Sequence, residues 1–130
     1  MSTTSDVLII GAGPVGLTIA NLLGQQGVGV LLVEKGDDLI DYPRAVGVDD
    51  EALRAMQTAG IVEDVLPHTI PDQKIYMING DRMILSEVNP TTREFGWPRR
   101  NGFLQPLVDR VLLEGLDRFP SVQVRFSTEV

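Results

Sequence analysis

The chain has 130 residues, with 11 Lys and Arg against 18 Asp and Glu, a formal net charge of -7, and 43% hydrophobic against 22% charged residues. That balance describes one globular domain able to bury roughly two thirds of its unfolded surface without covalent staples. The absence of cysteine and the single histidine, His68, exclude disulfide frameworks, thiolate metal sites and thiol nucleophiles, and the acidic balance argues against nucleic acid, whose binders draw on Lys and Arg.

The opening segment, Met1 to Asp6, is polar and lacks the basic start of a signal peptide, and no apolar run is long enough to span a bilayer. The expectation is a cytoplasmic protein with no membrane contact. Val7 to Ile10 is a continuous apolar run suited to a strand buried on both faces of a parallel sheet. A glycine cluster ends it. From Pro14 onward Val15, Ile19, Leu22 and Leu23 recur at helical spacing, with Pro14 in the first turn and Gly27 at the stop. Val28 to Val33 is a second apolar run closing on Glu34, so the front of the chain reads β–α–β with a right-handed parallel crossover.

Asp37 to Val48 reads as a loop. Asp49 and Asp50 supply an N-cap and first-turn negative charge to a helix that buries Leu53 and Met56 and stops at Gly60. Ile61 to Leu66 adds a short helical turn. Lys74 to Ile78, Asn79-Gly80 and Met83 to Leu85 give a hairpin signal, and Asn89 to Asn101, with Pro90, Pro98, Arg99 and Arg100, reads as a surface connection. Leu104, Leu107, Val108, Val111, Leu112, Leu116 and Phe119 form an amphipathic helix pattern, with Glu114 and Arg118 spaced to pair on its wet side. Val122 to Phe126 alternates as a strand. Residues 1–130 hold no internal boundary and read as one domain of the α/β class with a parallel β-α-β core and a β-hairpin excursion, incomplete at its C-terminal end.

One constellation carries specific chemistry. Gly11-Ala12-Gly13-Pro14-Val15-Gly16 stands between a buried strand and a helix. In such a turn Gly11 permits the reversal, Gly13 lets a diphosphate approach the backbone, and Gly16 lets the helix pack against the sheet. The helix start offers free N–H donors and partial positive charge to that diphosphate. Glu34 lies 18 positions beyond Gly16, where an acid accepts hydrogen bonds from an adenosine ribose and repels a 2′-phosphate. The ligand is therefore FAD or NAD, and residues 1–130 read as the N-terminal part of a Rossmann-like FAD/NAD(P)-binding domain. The plain structural alternative is a tight β–α turn with no ligand. Other candidates read as structure: His68 as a surface histidine, Asp49-Asp50-Glu51 as a capping run and not a metal site, Arg99 and Arg100 beside Trp97 as a solvated loop.

An NAD domain usually continues with another parallel strand after its second helix, whereas here a loop with Arg44, a helix and a hairpin intervene. That favours a flavin. The stretch Pro43-Arg44-Ala45-Val46-Gly47-Val48-Asp49-Asp50-Glu51-Ala52-Leu53-Arg54 with Gln57, and the later Asn101-Gly102-Phe103-Leu104-Gln105-Pro106-Leu107, together with the glycine motif and Glu34, resemble the front of the FAD-dependent aromatic-ring hydroxylases, nearest the 3-(3-hydroxyphenyl)propionate hydroxylase branch. The resemblance implies a flavin monooxygenase in which NADH reduces FAD and dioxygen supplies one oxygen atom to a phenol ring. It implies cofactor contacts at Gly11, Gly13, Pro14, Val15, Gly16, Glu34, Lys35, Arg44 and Gln105, with no catalytic residue and no metal ligand in this stretch. A guanidinium at Arg44 suits phosphate oxygens, and Gln105 offers both donor and acceptor at a helix start; taken on spacing alone, both are also ordinary loop and helix-start residues.

Family members run longer and carry further nucleotide motifs and a substrate domain beyond the stretch seen here. The expectation is a fragment inactive alone, self-associating through apolar faces left uncovered. The alternatives are the nucleotide domain of an NAD-dependent dehydrogenase and a non-catalytic dinucleotide-binding module.

Overall fold

The computed structural model describes residues 4–130, so the first half of the polar opening segment lies outside the described residues. The apolar runs at the front form strands, but the first is buried on one face and not on both: Ile9 is buried while Leu8 and Ile10 are exposed, since the helices cover that sheet from one side among the described residues. β1 (Val7–Ile10) and β2 (Val30–Val33) flank α1 (Pro14–Gln25), and β2 also pairs with β8 (Val122–Arg125). All these pairings are parallel, in the order β1-β2-β8, with Val7 opposite Val30 and Val30 opposite Val122. The expected parallel β-α-β core is present.

A second sheet sits beside it. β3 (Gly47–Asp49) and β4 (Thr69–Pro71) each pair antiparallel with β7 (Arg100–Phe103). This corrects two readings, because the end of the Asp37 to Val48 loop and the end of the Asn89 to Asn101 connection are both strand. The residues of β7, Arg-Asn-Gly-Phe, lack the β-branched pattern that marks a strand; Asn101 is buried instead, and its Nδ2 donates to the carbonyls of Val48 at 3.2 Å and Pro98 at 2.8 Å. Pairing with two neighbours overrides weak propensity.

Between these strands run α2 (Asp50–Thr58), α3 (Val62–Val65) and a 3-10 turn, Leu66–His68. Asp49 caps α2 as expected, accepting the Ala52 amide at 2.8 Å. The hairpin is present as β5 (Ile75–Ile78) and β6 (Ile84–Val88). Its turn is longer than a two-residue Asn-Gly reversal: Asn79 N–H donates to the Met83 carbonyl, and Arg82, not Gly80, takes the left-handed conformation, at φ 62°.

α4 (Gln105–Glu114) is shorter than its apolar pattern suggests and continues as a 3-10 turn, Gly115–Arg118. Leu104 and Leu107 are exposed, while Gln105, Val108, Asp109 and Leu112 face inward. Nor does Arg118 pair with Glu114. Its guanidinium donates to the carbonyls of Gly115, Gly60 and Ala59 and to Asn21 Oδ1, at 2.7 to 3.1 Å, since bare carbonyls at helix ends are acceptors a planar fork can collect together.

The inward face of α1 is likewise not the one its large residues suggest. Val15 and Ile19 are exposed, and Leu17, Ala20, Asn21 and Gly24 are buried. Close approach decides this, because a Cβ on Gly24 would overlap the Phe119 ring. The core between the parallel sheet and the helices holds Leu17, Val30, Leu32, Leu53, Val108 and Leu112.

Candidate functional site

The turn after β1 is built by three glycines with three different constraints. Gly11 has φ 102°, a region closed to most side chains, and its amide donates to the Val33 carbonyl at 2.7 Å. A Cβ on Gly16 would collide with the Gly11 carbonyl oxygen and lie 3.2 Å from Ile9 Cγ2, so the first turn of α1 rests directly on the end of β1. Gly13 is the N-cap, with φ -81° and ψ 177°, and a Cβ there would meet nothing within 4 Å. Its missing side chain leaves open space beside the helix start.

That space is one end of a cleft of about 270 Å³. Ala12, Gly13 and Pro14 line it from the turn and Glu34 from the end of β2; Arg44 and Ala45 stand opposite, with Gln105 and Asp109 of α4. The amides of Gly13, Val15 and Gly16 have no acceptor among the described residues, as expected of a helix start, so they and the helix dipole offer a place for anionic oxygens.

Glu34 is held in place from both sides. Its Oε2 accepts the Ala12 amide and its Oε1 the Gly36 amide, each at 2.9 Å. These two donors, Gly36 first, hold the carboxyl below its ordinary value, so it is an anion at neutral pH with lone pairs left for further donors.

Gln105 works differently from the sequence expectation of a helix-start donor and acceptor facing a ligand. Its buried amide ties the walls together: Oε1 accepts the backbone amides of Arg44 at 2.8 Å and Ala45 at 2.9 Å, and Nε2 donates to Asp109 Oδ2 at 3.1 Å. Arg44 is thereby brought to the cleft by its backbone, and its guanidinium has no ion-pair partner among the described residues. Asp38, also on the lining, is paired with Arg110 at 3.1 Å.

Of the nine candidate residues, Gly13, Pro14, Glu34, Arg44 and Gln105 line one cleft. Gly11 and Gly16 shape the turn without lining it, and the Val15 side chain points to solvent. Lys35 faces a neighbouring hollow with Ile10, Gly11 and Val33, on the other side of Glu34. Sequence reasoning missed Asp38 to Ile40 and Asp109. For Asp109 the available signal is its position one helical turn after Gln105, within an apolar face. No group of His, Asp and Glu side chains that could hold a metal occurs among the described residues. The exposed loop arginine Arg99 pairs with Glu94 at 3.1 Å, and Trp97 Nε1 donates to Gln57.

A parallel βαβ unit, a glycine turn opening onto a helix start and an acid at the next strand end define a dinucleotide-binding α/β domain of the Rossmann type. The chain belongs to the FAD binding domain family, which it matches over residues 4–130. It is 59% identical over 124 residues to the 3-(3-hydroxy-phenyl)propionate/3-hydroxycinnamic acid hydroxylase of Mycobacterium avium (strain 104), covering 95% of this chain and 21% of that protein. The chain thus spans about a fifth of the length of the curated relatives it matches. Among solved structures it is similar to p-nitrophenol 4-monooxygenase from Pseudomonas putida DLL-E4, with a TM-score of 0.84 and 26% identity over 98% of this chain and 33% of that one. It is also similar to aklavinone-11 hydroxylase in its ternary complex with FAD and aklavinone, with a TM-score of 0.75 and 25% identity over 98% of this chain and 26% of that one.

FAD is the cofactor of this domain, and the residues present fit it. Gly13 leaves open the volume a diphosphate needs, unpaired amides and a free guanidinium border that volume, and a fixed carboxylate stands one strand away. The cleft is smaller than pockets that enclose a whole ligand, as suits a wall for one section of a long dinucleotide. No helix among the described residues is long and apolar enough to cross a membrane.

Proposed function

We propose that this chain is the FAD-holding front of a flavin-dependent monooxygenase that hydroxylates a phenol such as 3-(3-hydroxyphenyl)propionate, with NADH as electron donor and dioxygen as oxidant. The observation that carries the reading is the convergence of Gly13, Glu34, Arg44 and Gln105 on one cleft, in a chain 59% identical to a hydroxylase of that name. Bound FAD would supply the transfer of electrons from nicotinamide to dioxygen.

The chain's own residues bind and orient. The amides of Val15 and Gly16, at the positive end of α1, hold diphosphate oxygens, and the Arg44 guanidinium neutralises their charge from the opposite wall. Glu34, already an anion fixed by Ala12 and Gly36, accepts the adenosine ribose hydroxyls. Gly11, Pro14 and Gly16 set the turn that presents those amides. Lys35, facing the next hollow, contributes positive charge beside the ribose end. None of these groups transfers a proton or attacks a ring, so this segment alone hydroxylates nothing, and the residues that meet the phenol come from other parts of the protein.

The hairpin side chains Tyr76, Met77, Ile78, Ile84 and Leu85 are exposed, as are Leu8 and Ile10 of the parallel sheet. Isolated, the segment self-associates through these faces. A cytoplasmic setting completes the proposal.

The test is direct. Purified protein is scanned for flavin absorbance before and after adding FAD, then supplied with NADH, air and 3-(3-hydroxyphenyl)propionate in the complete enzyme. Flavin uptake with phenol-stimulated NADH oxidation and a product heavier by one oxygen atom is the expected result. Uptake of NADH in place of FAD would overturn it.

A further inference from the structure

Asp109 is the buried acid of the cleft wall, 3% exposed, and only half of its carboxyl is in use: Oδ2 accepts from Gln105 Nε2 at 3.1 Å, while Oδ1 is buried without a hydrogen-bond partner. A buried oxygen with no partner is a cost, and a leucine would fill this position on α4 without it. The carboxyl therefore has a task other than packing.

The task is visible in Gln105. A glutamine amide has an acceptor end and a donor end of nearly the same shape, so its surroundings must choose between two orientations. Here Oε1 faces two donors, the backbone amides of Arg44 and Ala45, and Nε2 faces one acceptor, Asp109. Reversed, the amide would set NH₂ against two N–H groups and its oxygen against a carboxyl.

We propose that Asp109 is a positioning residue of the FAD site: by accepting Gln105 Nε2 it fixes the orientation of the amide that pins the Arg44–Ala45 backbone to the cleft wall. Through that link a side chain on α4 holds a loop some 60 residues earlier in the sequence, and with it the guanidinium set against the diphosphate. The inference rests on FAD being the occupant of the cleft, and its test separates the two ideas.

Amide hydrogen exchange at Arg44 and Ala45 is measured in the protein free of flavin, and FAD affinity is then measured by titration, for the wild type, Asp109→Leu and Asp109→Asn. The leucine variant should exchange faster at both amides and bind FAD about tenfold more weakly, the loss of one or two well-placed hydrogen bonds. Asparagine keeps an acceptor for Nε2 and should restore both readings. If the leucine variant fails to fold, Asp109→Ala carries the same expectation. Wild-type exchange and wild-type affinity in the leucine or alanine variant would overturn the proposal, as would an asparagine variant as impaired as leucine. A wild type that takes up no FAD, while exchange at Arg44 and Ala45 still depends on residue 109, would remove the cofactor reading and leave the positioning role standing.

Discussion

The Oε2 of Glu34 accepts the amide of Ala12 at 2.9 Å, so the acid ending β2 and the glycine turn after β1 are one hydrogen-bonded unit. Two features that sequence reasoning treats as separate ligand contacts, one for sugar and one for diphosphate, are set by each other before any ligand arrives. This is pre-organisation, because the ordering of the carboxylate does not have to be driven by binding.

Glu34→Gln should therefore weaken FAD binding by roughly 10-fold to 100-fold, the worth of hydrogen bonds to a charged acceptor, and Glu34→Ala by at least as much. Isothermal titration with FAD reads both. Unchanged affinity in either variant would place the ribose elsewhere.

The same carboxyl predicts a pH signature opposite to that of Asp109. Backbone donors lower the Glu34 value, so its contribution to stability is present above the unfolded value, about 4.3, and is lost as pH falls through the folded one. Burial raises the Asp109 value against the opposing Gln105 hydrogen bond, so its proton is favoured in the folded state and stability declines as pH rises from about 3.9 through the folded value. Glu34, Asp38, Arg44 and Gln105 share the cleft with Asp109, and Asp38 is already paired with Arg110. Melting temperature followed from pH 3 to about pH 7 should lose less at the acid end in Glu34→Gln than in wild type, and should decline less with rising pH in Asp109→Asn.

Much of this architecture is written in local patterns and some of it is not. The β1–α1–β2 unit was legible because apolar runs, a proline at a helix start and glycines requiring special geometry all agree. β7 was not, since Arg100, Asn101 and Gly102 have poor strand propensity and are held by partners on both sides, β3 and β4. The inward face of α1 departs from apolar spacing for a related reason. Apolar spacing selects Val15 and Ile19, whereas packing against Phe119 selects Gly24 and the small residues around it. At the site, Glu34 and Arg44 reach the cleft the sequence pointed to, but the role of Gln105 as a bracket between two walls depends on a contact across 61 positions that no local pattern encodes.

Gly13 and Gly16 separate binding from folding. A methyl group on Gly13 enters open space, and its φ of -81° suits alanine, so Gly13→Ala should melt near wild type yet bind FAD at least tenfold more weakly by filling the diphosphate volume. Gly16→Ala drives a methyl group into the Gly11 carbonyl and should lower stability by about 1 to 3 kcal/mol whether or not flavin is present. Thermal melts with and without FAD distinguish the two. A Gly13→Ala variant that binds flavin normally would mean that the open volume is not where the diphosphate lies.

Arg118 tests what holds the helical layer to the core, away from the cleft. Its guanidinium donates to Gly115, Gly60 and Ala59 carbonyls and to Asn21 Oδ1, and lies 4.7 Å from the Phe119 ring centroid. Asn21, fully buried, in turn donates from Nδ2 to the Leu17 carbonyl at 2.9 Å and the Leu112 carbonyl at 2.8 Å, linking α1 to α4. Arg118→Ala should cost about 2 kcal/mol, since several modest hydrogen bonds are lost but the exposed guanidinium leaves behind carbonyls that water can reach. Asn21→Ala, which removes a buried side-chain donor from two carbonyls and the acceptor of Arg118 as well, should cost more, about 3 kcal/mol. Arg118→Lys should recover little, because one ammonium cannot meet acceptors spread across a planar fork. Denaturant unfolding of the three variants orders them, and an Asn21→Ala variant less perturbed than Arg118→Ala would show that the α1–α4 contact is carried by apolar packing and not by this polar bridge.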